Sequence, residues 1–231
     1  MSSPLDATIP ASHQAFVAQR PPGADEDVHM LPEVVDHVIE RCTRPDDVVF
    51  DPFAGFGTTL GRAVALGRQA VGVELLPERV DYIEQRIPDA YILEGDAREL
   101  LRVVSALPHE ALLGEPRGSV DLVLTSPPYM TETHHDADPL TAYERDGGDY
   151  TRYLAELGLV AAQCAQLLKP GGFAVWNVAD IDYMGHTTHL IADCAEVLAE
   201  HLVPLGVTVI EWDTLPHDLV ADALLVFQRG T

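Results

Sequence analysis

The sequence predicts an α/β fold, a doubly wound and mostly parallel sheet of seven strands whose last strand is antiparallel. Three observations carry this expectation. From residue 31 onward, short apolar runs alternate with segments of helical period. A glycine-containing turn joins the first apolar run to the first helix of that series. The last two apolar runs are joined by a link, from about Asp213 to Asp222, too short for a crossover helix, so they read as an antiparallel hairpin.

The elements follow in order. Residues 1–28 are rich in Pro, Ala and acidic groups and read as an extended N-terminal arm. Residues 29–231 read as a single domain with a loop insertion near 130–149. Leu31, Val34, Val35, Val38, Ile39 and Cys42 recur at helical spacing, so a helix spans Leu31 to Cys42. Val48-Val49-Phe50 is a strand ending at Asp51, and Thr58 to Leu66 a helix. Ala70 to Leu75 is the next strand, followed by a helix from Pro77 to Ile87 with proline at its start. Ala90 to Glu94 and Ala97 to Leu107 form the third pair. Val120 to Thr125 is a strand stopped by two prolines. After the polar stretch from Thr131 to Asp149, a helix runs from Tyr150 to Leu168 and is closed by Lys169-Pro170-Gly171-Gly172. Phe173 to Val178 is a strand, Thr187 to Leu202 a helix, and Val207 to Trp212 and Ala223 to Gln228 the closing strands.

Composition bounds the function. With 231 residues, 47% of them hydrophobic, the chain can bury a sizeable core. No apolar run approaches the ~20 residues of a membrane helix, and no secretory signal pattern opens the chain. Cys42, Cys164 and Cys194 are far apart and read as buried thiols, and the histidines form no zinc spacing, so no metal is expected. A reducing cytoplasm fits. There are 37 acidic and 14 basic residues, a net charge of -23, and Lys169 is the sole lysine. Such a surface repels a phosphate backbone. Salt adaptation produces the same balance, so nucleic acid stays open as a partner.

The turn Asp51-Pro52-Phe53-Ala54-Gly55-Phe56-Gly57-Thr58-Thr59 lies where doubly wound sheets bind ligands, outside the carboxyl ends of the strands. Gly55 and Gly57 allow close backbone approach. Three consecutive strand ends carry carboxylates. Asp51 can accept from an ammonium group, Glu74 can bind both hydroxyls of a ribose, and Asp96 can accept from an adenine amino group. Together they suit an adenosyl amino-acid cofactor, S-adenosylmethionine. The candidate cofactor residues are Asp51, Phe53, Ala54, Gly55, Gly57, Thr58, Thr59, Glu74, Leu75, Asp96 and Ala97. No phosphate-binding lysine stands in the turn, which disfavours a nucleoside triphosphate.

Ser126-Pro127-Pro128-Tyr129 ends the fourth strand, beside the first. An amino group conjugated to a ring is a poor nucleophile because its lone pair is delocalised. The Ser126 hydroxyl and the Pro127 carbonyl can each accept a hydrogen bond from it and favour a pyramidal nitrogen. The prolines stiffen the loop, and Tyr129 offers a ring face for stacking. Ser126, Pro127 and Tyr129 are the candidate catalytic residues. No strong base is needed before attack, so His134 and His135 read as solvent-exposed loop residues.

These two segments resemble the cofactor and catalytic motifs of the S-adenosylmethionine-dependent DNA amino-methyltransferases, the cytosine-N4 and adenine-N6 type. Gly67-Arg68-Gln69-Ala70-Val71-Gly72-Val73-Glu74 and Leu168-Lys169-Pro170-Gly171-Gly172 resemble further family segments, and the likeness extends from about Met30 to the C-terminus. The resemblance implies a seven-stranded Rossmann-like methyltransferase sheet and methyl transfer to an exocyclic amino group of a nucleobase. It implies DNA ahead of RNA as partner and, from the serine form of the motif, cytosine N4 as the target. It also implies that the helix from Leu31 closes over the methionine end of the cofactor. The acidic stretch from Met130 to Asp149 keeps open a lid over a small-molecule or peptide amine. A non-catalytic, partner-dependent subunit is the third reading, and a homodimer remains open.

Overall fold

The computed structural model describes residues 2–22, 24, 29–107, 115–133, 137–144 and 147–230. The described strands form one sheet. It contains β1 (Thr8–Ala11), β2 (Val48–Asp51), β3 (Gln69–Glu74), β4 (Tyr91–Glu94), β5 (Val120–Thr125), β6 (Leu168–Tyr183), β7 (His186–Thr188), β8 (Val203–Trp212) and β9 (Leu219–Gln228). Its order is β1-β8-β9-β6-β5-β2-β3-β4, with β7 pairing β6. Strands β2 to β6 are parallel to one another, and β9 lies antiparallel between β6 and β8. The mostly parallel sheet with a reversed last strand therefore forms as the sequence predicts, enlarged by β1 and β7.

The sheet is buried on both faces, which is why its central strands are nearly all apolar. Side chains alternate across the sheet at period two. Val48 and Phe50 enter one core with Val71 and Val73, packed by α5 (Leu100–Val104), α6 (Tyr150–Leu167) and α7 (Leu190–Ala199). Val49 and Ala70 point the other way with Leu122 and Leu124. They pack against α2 (Pro32–Cys42), α3 (Thr58–Ala65) and α4 (Pro77–Arg86). Helices α2 and α4 each begin with proline in the first turn, where its missing N–H costs nothing.

Four stretches depart from expectation. In the segment expected as an arm, β1 pairs in parallel with β8 and α1 (His13–Ala18) buries Phe16. The reason is tertiary: β8 would otherwise be an unpaired sheet edge. Strand β6 starts at Leu168 instead of Phe173, because Lys169-Pro170-Gly171-Gly172 lies in the sheet across a register shift opposite β5. The Lys169 ammonium reaches both Asp121 oxygens at 2.8 and 2.7 Å, and Asp121 also accepts from the Val48 backbone N–H at 2.9 Å. Helix α7 begins at Leu190 instead of Thr187, because residues 186–188 fold back on β6. The helix expected from Ala97 opens as a 3₁₀ turn, Ala97–Glu99, capped by Asp96.

Candidate functional site

At the carboxyl ends of β2, β3 and β5, the glycine turn, Glu74 and the Ser126 turn open on one cleft of about 990 Å³. Of the residues singled out in the sequence, Phe53, Gly55, Glu74, Leu75, Ala97, Ser126, Pro127 and Tyr129 line it. Helix α2 contributes Val34, preceded by Met30 and Leu31 on the same wall.

Glu74 ends β3 and is 7% exposed. One of its oxygens accepts from the Gly55 N–H at 2.8 Å and the other from the Leu76 N–H at 3.0 Å. The carboxylate keeps acceptor capacity for a ligand hydroxyl. Burial raises the Glu74 pKa, and the Leu76, Gly55 and Leu75 backbone N–H groups and the Arg79 charge act against that. The two turn glycines do different work. Gly55 carries the N–H that orients Glu74. Gly57 caps α3 at φ 81°, and a Cβ there would stand 2.8 and 2.9 Å from Ile87 and Ile83 of α4. Gly57 is therefore required by packing as well as by its backbone conformation.

Asp51 takes a different position from the one expected. It is 2% exposed and accepts from the Thr125 hydroxyl at 2.6 Å and the Phe53 N–H at 3.0 Å. It thereby ties the glycine turn on β2 to the end of β5, one residue before Ser126. Burial pushes its pKa up to about 6, against the pull of those donors. Like Asp51, the residues Ala54, Gly57, Thr58, Thr59 and Asp96 are not among those lining the cleft; Thr59 is buried within α3. Asp96 caps the following 3₁₀ turn and pairs with Arg98, Nε to Oδ1 2.9 Å, while Arg98 also meets Glu156 at 2.9 Å. At this strand end Gly95 and Ala97 form the cleft wall instead.

The Ser126 turn is braced from below. The Tyr129 hydroxyl donates to the Asn177 carbonyl oxygen at 3.1 Å and lies 3.1 Å from the Ser126 hydroxyl. A phenol has one proton. With that proton on Asn177, Ser126 donates to Tyr129 and turns its lone pairs outward. Tyr153 of α6 donates to the Pro128 carbonyl at 2.9 Å. Burial lifts the Tyr129 and Tyr153 hydroxyls far above their usual range, so both stay protonated.

Sequence reading missed several wall residues. Asn177 interrupts an apolar strand, and Asp222 immediately precedes another; a polar residue in such a run is the signal that could have found them. Phe16 from the arm stacks on His29 at 4.5 Å and meets Trp212 edge-on at 5.3 Å, and all three line the cleft. Phe56 and Tyr82 meet edge-on at 5.3 Å, with the Arg79 guanidinium 4.9 Å over the Phe56 ring. The insertion is less solvated than its composition suggests. Asp138 is 1% exposed and caps the 3₁₀ turn Pro139–Thr141, and Leu140 and Tyr143 line the cleft. His134 and His135 lie outside the described residues. Among the described residues no group of His, Cys, Asp and Glu forms a metal site, and no helix is long and apolar enough to cross a membrane.

This sheet order, with a glycine turn after β2 and a carboxylate closing β3, defines a Rossmann-like methyltransferase fold. Solved structures similar to it include TrmN from Thermus thermophilus, with TM-score 0.58 and 19% identity over 86% of this chain and 48% of that one. Geranyl diphosphate C-methyltransferase from Streptomyces coelicolor A3(2) has TM-score 0.58 and 12% identity over 96% and 91%. At these identities the likeness is one of fold.

Residues 31–85 match the DNA methylase family, and over this segment the chain is similar to type II methyltransferases. Type II methyltransferase M.HinfI of Haemophilus influenzae is 46% identical over 50 residues, 22% of this chain and 14% of that protein. Type II methyltransferase M.Cfr9I of Citrobacter freundii is 36% identical over 74 residues, 32% and 23% of the two chains. The matches thus span less than a quarter of these relatives' lengths. The segment contains the glycine turn and Glu74; Ser126-Pro127-Pro128-Tyr129 lies beyond it.

Proposed function

We propose that the chain is an S-adenosylmethionine-dependent N-methyltransferase acting on an exocyclic amino group of a nucleobase in DNA, with cytosine N4 as the target. The observation that carries this reading is the opening of Glu74 and Ser126-Pro127-Pro128-Tyr129 on a single cleft. The family match over the glycine turn supports the cofactor, and the serine form of the catalytic segment supports cytosine.

The residues present fit the cofactor: Glu74 has acceptor capacity for a ribose hydroxyl, and Leu75 and Ala97 offer apolar surface to an adenine ring. When bound, S-adenosylmethionine supplies an electrophilic methyl group on a sulfonium. Glu74 fixes the ribose, and Met30, Leu31 and Val34 exclude water from the other end. Ser126 Oγ and the Pro127 carbonyl each accept a hydrogen bond from the amino group and turn the nitrogen lone pair toward the methyl carbon. Positioning then carries most of the rate. A duplex target must be flipped out of the stack to reach this depth.

A second reading, methylation of a small amine, is favoured by the net charge of -23. The deciding experiment supplies tritium-labelled methyl donor with unmethylated duplex DNA, single-stranded DNA, RNA and a panel of amines, over a range of salt. The expected outcome is labelled DNA that yields N4-methylcytosine on digestion, with Ser126→Ala slower by ~100-fold or more. N6-methyladenine would change the target base. Label in amines alone, at every salt concentration, would transfer the function to the second reading.

A further inference from the structure

The Ser126 turn brings two neutral acceptors to the reacting nitrogen, yet N-methylation leaves that nitrogen positively charged. A cation in a water-poor cleft is costly without a counter-charge. Asp222, at the start of the apolar half of β9, supplies a carboxylate in the same cleft and is 6% exposed. Its Oδ1 accepts from the Asn177 amide at 2.6 Å and its Oδ2 from the Trp212 indole N–H at 2.8 Å. The same Asn177 accepts the Tyr129 hydroxyl through its carbonyl, so Asp222 and the Ser126 turn are held on one residue. These side-chain donors are neutral, and buried carboxylates are ordinarily matched by a cation. The Ala223 backbone N–H also bonds the carboxylate, and these three donors leave one of its four lone-pair sites for a substrate proton.

We propose that Asp222 is a further catalytic residue, which stabilises the positive charge developing on the substrate nitrogen and then accepts its surplus proton. This rests on the methyltransferase reading above. The nitrogen lone pair forms the bond to the methyl carbon as the carbon–sulfur bond breaks, and the electron pair of that bond passes to sulfur. The nitrogen, now cationic, gives one proton to Asp222, which releases it to water. Burial pushes the Asp222 pKa up to about 6, with Trp212 and Asn177 acting against it, so the group is ionised at neutral pH and has useful basicity. Facing Asp222 are Tyr129 from the catalytic turn, Asn177 from β6 and Trp212 from β8; Glu74, Glu78, Arg79, His29 and His217 are the other acidic and basic side chains of the wall. Asp51, which is not among the residues lining the cleft, also titrates near about 6, so an acid limb in the rate profile is assignable only if it moves with Asp222.

The test uses the full chain and two readouts. The first is the Trp212 indole N–H resonance, followed by NMR against pH; it is expected to titrate with a midpoint near 6 and to lose that titration in Asp222→Asn. The second is the pH profile of label transfer from the methyl donor to unmethylated DNA. Asp222→Asn is expected to lower kcat by at least ~10-fold, leave cofactor affinity unchanged by calorimetry and remove the acid limb. Trp212→Phe keeps the carboxylate and removes one donor, so it moves the acid limb to higher pH, which loss of packing alone would not do. Active wild type with full rate in Asp222→Asn, or an acid limb unmoved in both variants, overturns the role of Asp222 and leaves the methyltransferase reading standing. Wild type that labels no nucleic acid and no amine overturns that reading, and the role of Asp222 with it.

Discussion

Asp51 and Glu74 are both carboxylates at strand ends, and one chemical type has been put to two uses. Asp51 is turned inward onto Thr125 and holds the two functional turns in register. Glu74 is held by backbone N–H groups and keeps acceptor capacity toward the cleft. Glu74→Ala is expected to weaken binding of the methyl donor by about 100-fold, the loss of charge-assisted hydrogen bonding. Isothermal calorimetry reads this directly, and unchanged affinity would remove Glu74 from the cofactor site. Asp51→Asn acts on stability. The Asp51 pKa is raised by burial, so its folded-state contribution is fully present below the unfolded carboxylate pKa and is lost as pH rises through about 6. The asparagine cannot ionise. The stability difference between variant and wild type should therefore grow in the variant's favour from about pH 5 to about pH 8, by ~1.4 kcal/mol, the part of the shift from 3.8 to about 6 that falls within that window. Urea unfolding at the two pH values measures it, and a difference independent of pH would contradict the assignment.

Among the elements, the unexpected ones are β1 and α1. They cover the edge of β8 and bring Phe16 to the cleft wall against His29 and Trp212. Phe16 is 5% exposed, and a buried Phe→Ala change costs ~3–5 kcal/mol where the site cannot collapse. This element lies at the sheet edge, so the expected result of Phe16→Ala is local release. Limited proteolysis should cut within the first 22 residues before the urea transition reported by far-ultraviolet circular dichroism. Cleavage no faster than in wild type would show that β1 alone holds the segment. Helix α6 acts in the opposite direction, carrying Tyr153 to the Pro128 carbonyl and so fixing the catalytic turn from the far face of the sheet.

For the whole molecule, the charge of -23 sets the terms on which any substrate arrives. Like charges repel across water over about a Debye length, ~10 Å at 0.1 M salt. Label transfer to DNA is therefore expected to rise with salt up to several tenths molar, opposite to the usual weakening of protein–DNA association by salt. Initial rates at subsaturating DNA give this trend, and a steep fall with salt would require a basic path to the cleft.

Much of this architecture was legible in the sequence because its signals are local. Periodicity placed α2, β2, α3 and β5 to within a residue or two, and turn chemistry placed the glycine turn and Ser126-Pro127-Pro128-Tyr129 at strand ends of one sheet. What the sequence by itself determined was the alternation of elements, the two turns at strand ends of the sheet and three carboxylates, Asp51, Glu74 and Asp96, at consecutive strand ends. Only the tertiary structure decided which way Asp51 turns and that Asp96 pairs with Arg98. It alone also decided that residues 8–18 close the sheet and that Asn177, Trp212 and Asp222 converge beside Ser126. The physical reason is that these outcomes depend on contacts between segments far apart in the chain. Burial and hydrogen-bond satisfaction across those contacts select among positions that spacing alone treats alike.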